Sequence, residues 1–123
     1  MRKPAFGLLN RLALLAARAA SLALFLIWGA FFLEHLVWFA DPAAWPGPEV
    51  WLAQGLHLAL LLGYLLSLFS ERLGAALIAV GAVAFFGLTG GGDALTFTLV
   101  SLLPVPFYVL GWLSRPGSPR PEA

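Results

Sequence analysis

The sequence predicts an all-α protein, a four-helix transmembrane bundle that runs up-down-up-down with both termini in the cytoplasm. Its 123 residues are 61% hydrophobic and 11% charged, whereas an ordinary soluble domain has about 25% charged residues. The apolar residues fall into four stretches of the length, about 20 residues, that crosses the hydrocarbon of a bilayer as a helix. Because the connections between them are short, consecutive helices should be antiparallel neighbours. The chain is therefore predicted to form a single membrane domain.

Residues 1–18 precede the first predicted span and are predicted as an amphipathic segment. One helical face carries small or polar residues, and the other carries leucines: Gly7, Asn10, Arg11 and Arg18 against Leu8, Leu9, Leu12 and Leu15. Such a helix either lies in the cytoplasmic interface or extends the first span. The N-terminal MRK also resembles a secretory signal, but no small-x-small cleavage site follows the apolar run and three further spans do.

The predicted spans cover residues 19–40, 50–69, 73–90 and 94–113, and residues 114–123 are predicted as a flexible cytoplasmic tail. Pro48 suits the first turn of the second helix, where its missing N–H is no loss. Asp93, after a run of three glycines, is expected to cap the fourth helix. Pro104 and Pro106 lack the N–H groups that would bind the carbonyls of Val100 and Leu102, so the fourth helix should bend near mid-membrane.

The charged residues predict the orientation of the four spans. All seven basic residues fall on one side of the predicted threading, and the opposite connections hold only acidic charges, at Asp41, Glu49 and Asp93. Cytoplasmic loops are enriched in Lys and Arg. The chain is therefore predicted to be a multi-pass protein of the cell inner membrane. Tryptophans 38, 45 and 51 would form an outer aromatic belt, and Tyr108 with Trp112 an inner one.

Small residues predict which helices pack most closely. Helices in lipid associate where small side chains let their backbones approach. The second span has Gly55, Ala59 and Gly63 at four-residue spacing, and the third has Gly74 and Gly81. These two faces are predicted to meet.

Polar side chains from three helices are predicted to occupy one layer in the outer half of the membrane. At 1.5 Å per residue, Glu34 and His35 lie about 8 Å inside the outer end of the first span, and His57 about 10 Å inside that of the second. The other candidates are Gln54 and Tyr64 on the second helix, and Thr98 and Ser101 on the fourth. Because an unpaired charge in the membrane is costly, Glu34 is predicted to pair with His57, or with His35 through a neighbouring group.

Two interpretations of this layer stay open. In the first, Glu34, His57 and Gln54 hold the helices together, and the chain is an accessory or structural membrane protein without catalysis. In the second, the chain is a small transporter or a proton-coupled ligand-binding protein that uses Glu34 and His57, since ionisable groups inside a membrane are commonly functional. A first span beginning near Leu12 would instead place Glu34 at the headgroups.

Several classes of site are disfavoured. The absence of cysteine excludes disulfides and thiolate metal sites. His35 and His57 could ligate a haem, but the outer connections lack basic partners for its propionates, and no zinc-binding helix motif is present. We expect no cofactor, no metal and, at a net charge of +1, no nucleic acid. The expected partners are the lipid bilayer and either further copies of the chain or another membrane protein.

Residues 57–113 carry a pattern of their own: a histidine early in the second span, the turn Ser70-Glu71-Arg72-Leu73-Gly74, Leu103-Pro104, and Gly111. In this pattern the chain resembles a group of small uncharacterised bacterial membrane proteins classed as a domain of unknown function. The resemblance implies a four-helix membrane protein and adds no chemistry.

Overall fold

A computed structural model describes residues 4–115, which are helical apart from short connections. The helices are α1 Pro4–His35, α2 Pro48–Ser67, α3 Glu71–Thr89, α4 Ala94–Ser101 and α5 Pro104–Leu113, with 3-10 turns at Leu36–Phe39, Pro42–Ala44 and Gly91–Asp93. Four helical stretches are long and apolar enough to cross a membrane: Gly7–Phe39, Pro48–Ser67, Glu71–Thr89 and Gly91–Leu113. The predicted all-α class is confirmed, and the four stretches indicate a multi-pass membrane protein. Residues 1–3 and most of the predicted tail lie outside the described part of the chain.

The bundle has two ends, a turn end and a loop end. The turn end carries the short α2–α3 connection, residues 68–70. The loop end carries the α1–α2 connection, residues 36–47, and the α3–α4 connection, residues 90–93.

Helix α1 is continuous across the predicted boundary at residue 18. Its 32 residues correspond to about 48 Å, longer than the hydrocarbon core of about 30 Å. The part before residue 18 packs on α5. Ala13 and Ala17 are buried, and Ala17 lies against Tyr108. The Asn10 side-chain amide donates a hydrogen bond to the Gly111 carbonyl. Of the two predicted forms of this segment, the structure has the extension of the first span.

The loop end is organised by side chains as well as by backbone turns. Asp41 accepts a hydrogen bond from the Ala43 N–H at 3.0 Å, and the Trp45 indole donates to the Phe39 carbonyl at 3.0 Å. Pro48 stands in the first turn of α2 as predicted. Asp93 occupies the N-cap position of α4, but its side chain makes no capping hydrogen bond, so the predicted cap is wrong.

The closest helix contact joins α2 and α3 through glycines. At three positions a Cβ would press on the facing helix; the pairs are Gly63 with Ile78, Gly74 with Ser67, and Gly81 with Leu60. At Gly74 the added atom would overlap the Ser67 backbone itself. The predicted packing through Gly63, Gly74 and Gly81 is confirmed.

Gly55 does not belong to this contact. A Cβ at Gly55 would meet nothing within 4 Å, and the residue is exposed, while Ala59 is half-buried. The prediction that Gly55 packs against α3 is wrong. A helix has 3.6 residues per turn, so residues spaced four apart do not stay on one face. Gly55, eight residues before Gly63, therefore points away from α3.

The fourth membrane helix is interrupted at Leu102–Leu103, immediately before Pro104, in the region where the sequence predicts a bend. The Val100 and Leu102 carbonyls, which the prolines cannot bind, accept instead from the N–H groups three residues ahead, at 3.2 and 2.9 Å. The Ser101 carbonyl, which the Val105 N–H would bind in a continuous helix, has a partner from another helix. It accepts a hydrogen bond from the buried Tyr64 hydroxyl at 2.8 Å.

Replacing Gly74 with alanine tests the α2–α3 contact. The new Cβ must push α3 away from Ser67, and overpacking of this kind costs roughly 1–3 kcal/mol. Gly87, on the same helix, faces open space, so Gly87→Ala should leave stability unchanged or raise it by up to about 1 kcal/mol. The measurement is the midpoint of SDS-induced unfolding in mixed micelles, followed by circular dichroism. Equal midpoints for the two variants would contradict the contact.

Candidate functional site

Two side chains of α2 bind the backbone of α1 near the loop end. The His57 Nε2 atom lies 2.9 Å from the Trp28 carbonyl, and the Gln54 amide donates to the Phe32 carbonyl at 3.4 Å. Since a carbonyl only accepts, Nε2 of His57 carries the proton. Trp28 and Phe32 are one turn apart, and so are Gln54 and His57, so the two bonds hold the helices in register.

The His57 ring is buried among aromatic side chains. It is 1% exposed, lies at a tilt 4.6 Å from the Phe85 ring and meets Phe32 edge-on at 5.3 Å. Its Nδ1 atom has no hydrogen-bond partner among the described residues. The His35 ring is 6.4 Å away, centroid to centroid.

A cavity of about 290 Å³ opens beside these rings at the loop end, and we call it the histidine pocket. Its lining comes from α1, the 3-10 turn that follows it, α2 and α3: His35, Trp38, Val50, Ala53, Gln54, Phe85 and Thr89. The His35 and Trp38 rings lie 4.6 Å apart, and the Thr89 hydroxyl donates to the Phe85 carbonyl at 2.8 Å. Aromatic walls with a few polar groups are typical of small-molecule sites.

Glu34 lies outside this pocket. Its side chain is exposed in the last turn of α1, whereas His57 is bonded to the Trp28 carbonyl. The predicted Glu34–His57 pair is therefore wrong. The physical reason is helical geometry: adjacent residues point about 100° apart, and since His35 faces the pocket, Glu34 turns away from it.

The remaining candidates of the predicted layer lie elsewhere in the bundle. Tyr64 donates to the Ser101 carbonyl at 2.8 Å, and both residues are fully buried. The Ser101 hydroxyl has no partner among the described residues. Thr98 is half-buried, and its carbonyl accepts from the Leu102 N–H at 2.9 Å. The structure thus divides the predicted layer between the histidine pocket and the proline interruption.

A second polar cluster lies nearer the turn end and is not predicted from the sequence. The Tyr108 hydroxyl lies 2.8 Å from the Ser67 hydroxyl, which donates to the Tyr64 carbonyl at 2.8 Å and lies 3.1 Å from the Ser21 hydroxyl. We call Ser21, Ser67 and Tyr108 the hydroxyl cluster. It joins α1, α2 and α5, and all three side chains are 0% exposed.

Tyr108 therefore does not belong to an aromatic belt, and that prediction is wrong. The spacing of Tyr108 in the sequence could have indicated its burial, because Pro104, Tyr108 and Gly111 recur at helical intervals on one buried face of α5. Single serines in apolar helices gave no comparable indication, because a serine hydroxyl can also bind its own helix backbone.

Charges are segregated between the two ends. Among the described residues, the turn end holds Arg11, Arg18, Arg72, Arg115 and Glu71, a net charge of +3, and the loop end holds Glu34, Asp41, Glu49 and Asp93, a net charge of −4. Glu71 lies 3.8 Å from Arg18 and 3.5 Å from Arg115, linking α3 to α1 and to the residues after α5. Pairs with exposed arginines contribute at most about 1 kcal/mol each.

Comparisons with protein-family models, with curated proteins and with solved structures find no match for this chain.

Removing the Tyr108 hydroxyl tests the hydroxyl cluster. Tyr108→Phe keeps the ring and deletes the bond to Ser67, so the free energy of unfolding should fall by about 0.6 kcal/mol and at most about 1.7, as for other hydrogen bonds between membrane helices. Thr96→Val removes an exposed hydroxyl of α4 and should have no effect. SDS titration in mixed micelles measures both. A Tyr108→Phe protein as stable as wild type would show that the cluster contributes nothing.

Proposed function

We propose that this chain is a small integral protein of the cell inner membrane with an accessory or structural role rather than a catalytic one. The observation that supports the proposal is that the buried polar side chains form hydrogen bonds to neighbouring helices. His57 and Gln54 bind the backbone of α1, Tyr64 binds the backbone of α4, and the hydroxyl cluster joins α1, α2 and α5. Each of these contacts connects one helix to another.

The orientation is part of this proposal. Within residues 4–115 the turn end has a net charge of +3 and the loop end −4, and positive charge is retained on the cytoplasmic side. We therefore place the turn end and both termini in the cytoplasm.

A structural role needs a partner in the membrane. We propose either further copies of this chain or another membrane protein, because four helices enclose little on their own and the outer surface of the bundle is apolar. We also propose kinship of residues 57–113 with the small bacterial membrane proteins that they resemble, which would imply a four-helix membrane protein and no particular partner.

Single cysteines test the orientation, since the chain has none of its own. Ala43 is exposed in the α1–α2 connection, and Phe69, in the α2–α3 turn, is 83% exposed. In intact spheroplasts a membrane-impermeant maleimide should label Ala43→Cys, and it should label Phe69→Cys only after lysis. The opposite labelling order would invert the proposed orientation.

A second candidate function is supported by the histidine pocket. Its volume of about 290 Å³, the polar groups of His35, Gln54 and Thr89 in its lining, and the unpartnered Nδ1 of buried His57 behind it suit a small ligand or a proton. In this proposal the chain is a small transporter or a proton-coupled binding protein. Glu34 and His57 would carry the proton, with Glu34 outside the pocket.

One experiment separates the two candidates. Wild type, His57→Leu and Glu34→Gln are reconstituted into vesicles containing the pH-sensitive dye pyranine, and the decay of an imposed pH gradient is followed. A structural role predicts that all three decay like protein-free vesicles, while His57→Leu alone loses about 0.6–1.7 kcal/mol of stability. Proton coupling predicts faster decay with wild type, lost in both variants. Faster decay with wild type would overturn the structural proposal.

A further inference from the structure

A groove runs along α3 from the turn end, separate from the histidine pocket and from the hydroxyl cluster. Its first part has a volume of about 480 Å³ and is lined by Arg72, Ala75, Ala76 and Ala79 of α3 and by Val105 and Trp112 of α5. The floor is formed by small alanine side chains. Trp112 and Val105 rise beside it because α5 packs against α3 at this end.

The same side of α3 is indented again nearer the middle of the bundle. A second depression of about 410 Å³ shares Ala79 and adds Val80, Val83 and Ala84. These positions form one face of α3, opposite the glycine face that packs on α2. From Arg72 to Ala84 the helix rises about 18 Å, slightly more than half of the hydrocarbon thickness of about 30 Å. The groove therefore has the length of one leaflet.

The mouth of the groove carries a positive charge. The Arg72 guanidinium lies over the Trp112 ring, 5.8 Å from its centroid, so the cation is held beside the groove. Glu71 is engaged by Arg18 and Arg115. Within residues 4–115 no carboxylate lies within 4 Å of Arg72, which leaves its charge available to an anion.

We propose that the groove binds one anionic phospholipid, with its phosphate on Arg72 beside Trp112 and one acyl chain along Ala76, Ala79 and Val83. Three observations select this occupant: a cation at the interface, an apolar channel beneath it, and a channel length that matches one leaflet. Basic sites between membrane helices on the cytoplasmic side bind anionic headgroups. The proposal rests on the membrane-spanning orientation proposed above, with the turn end in the cytoplasm, and is the same for a structural and for a proton-coupled role.

Native mass spectrometry of the full chain in detergent tests the site. The probes are dioleoylphosphatidylglycerol and dioleoylphosphatidylcholine, which share acyl chains and differ in headgroup charge. Wild type should retain one phosphatidylglycerol more tightly than phosphatidylcholine. Arg72→Gln should weaken phosphatidylglycerol binding ~5-fold, the effect of about one interfacial arginine.

Two variants make the assignment specific. Arg11→Gln removes the same charge at the same end but outside the groove, so it should leave binding of the single lipid unchanged. Ala76→Leu, at an exposed position in the groove floor, should weaken binding of both lipids without removing a charge. Circular dichroism verifies that each variant keeps its helix content.

Three results would overturn the proposal. Equal retention of the two lipids by wild type would show that charge does not matter. Equal losses in Arg72→Gln and Arg11→Gln would show diffuse attraction to the whole turn end. Displacement of the lipid by millimolar inorganic phosphate would show that the acyl chain contributes nothing, and that a free anion is the occupant.

Discussion

The close approach of α2 and α3 at Gly74 is the contact on which the rest of the bundle depends. Lipid tails surround apolar side chains as well as a neighbouring helix does, so membrane helices gain by packing closely rather than by leaving water. With hydrogen in place of a side chain at Gly74, the backbone of α3 lies directly on Ser67. Ser67 is thereby held in the bundle interior, where its hydroxyl meets those of Ser21 and Tyr108. One glycine thus places four helical segments: α2 and α3 by contact, and α1 and α5 through hydrogen bonds.

A second constraint comes from the proline interruption. In hydrocarbon a backbone carbonyl without a donor costs several kcal/mol, so an interrupted helix must find donors within the protein. The Val100 and Leu102 carbonyls find them in the tightened local turn. The Ser101 carbonyl takes the Tyr64 hydroxyl instead. The interruption consequently becomes an attachment point between α2 and α4, which accounts for the buried Tyr64 hydroxyl without any ligand.

These contacts bear on function because they engage most of the buried polar side chains; among the described residues, Trp28 Nε1, His57 Nδ1 and the Ser101 hydroxyl stay without a hydrogen-bond partner. Near the loop end, His57 and Gln54 bind backbone carbonyls of α1, and the histidine pocket beside them is the place where a ligand or proton has access to polar atoms. At the turn end, Glu71 holds two arginines, and Arg72 stands at the mouth of a groove. The interior is therefore suited to holding helices together, and the ends and the outer surface are suited to contacts with other molecules.

The sequence by itself determined the helical class, the four apolar stretches, the packing glycines 63, 74 and 81, and the interruption before Pro104. Each depends on composition, length or local backbone chemistry, which a single chain displays directly. Only the tertiary structure decided the polar partners. His57 was predicted to pair with Glu34 because their depths match, but a helix also fixes the direction of each side chain, and Glu34 points outward while His57 reaches a backbone carbonyl. Every residue carries such a carbonyl, so no sequence pattern marks the one at Trp28 or at Ser101 as the acceptor.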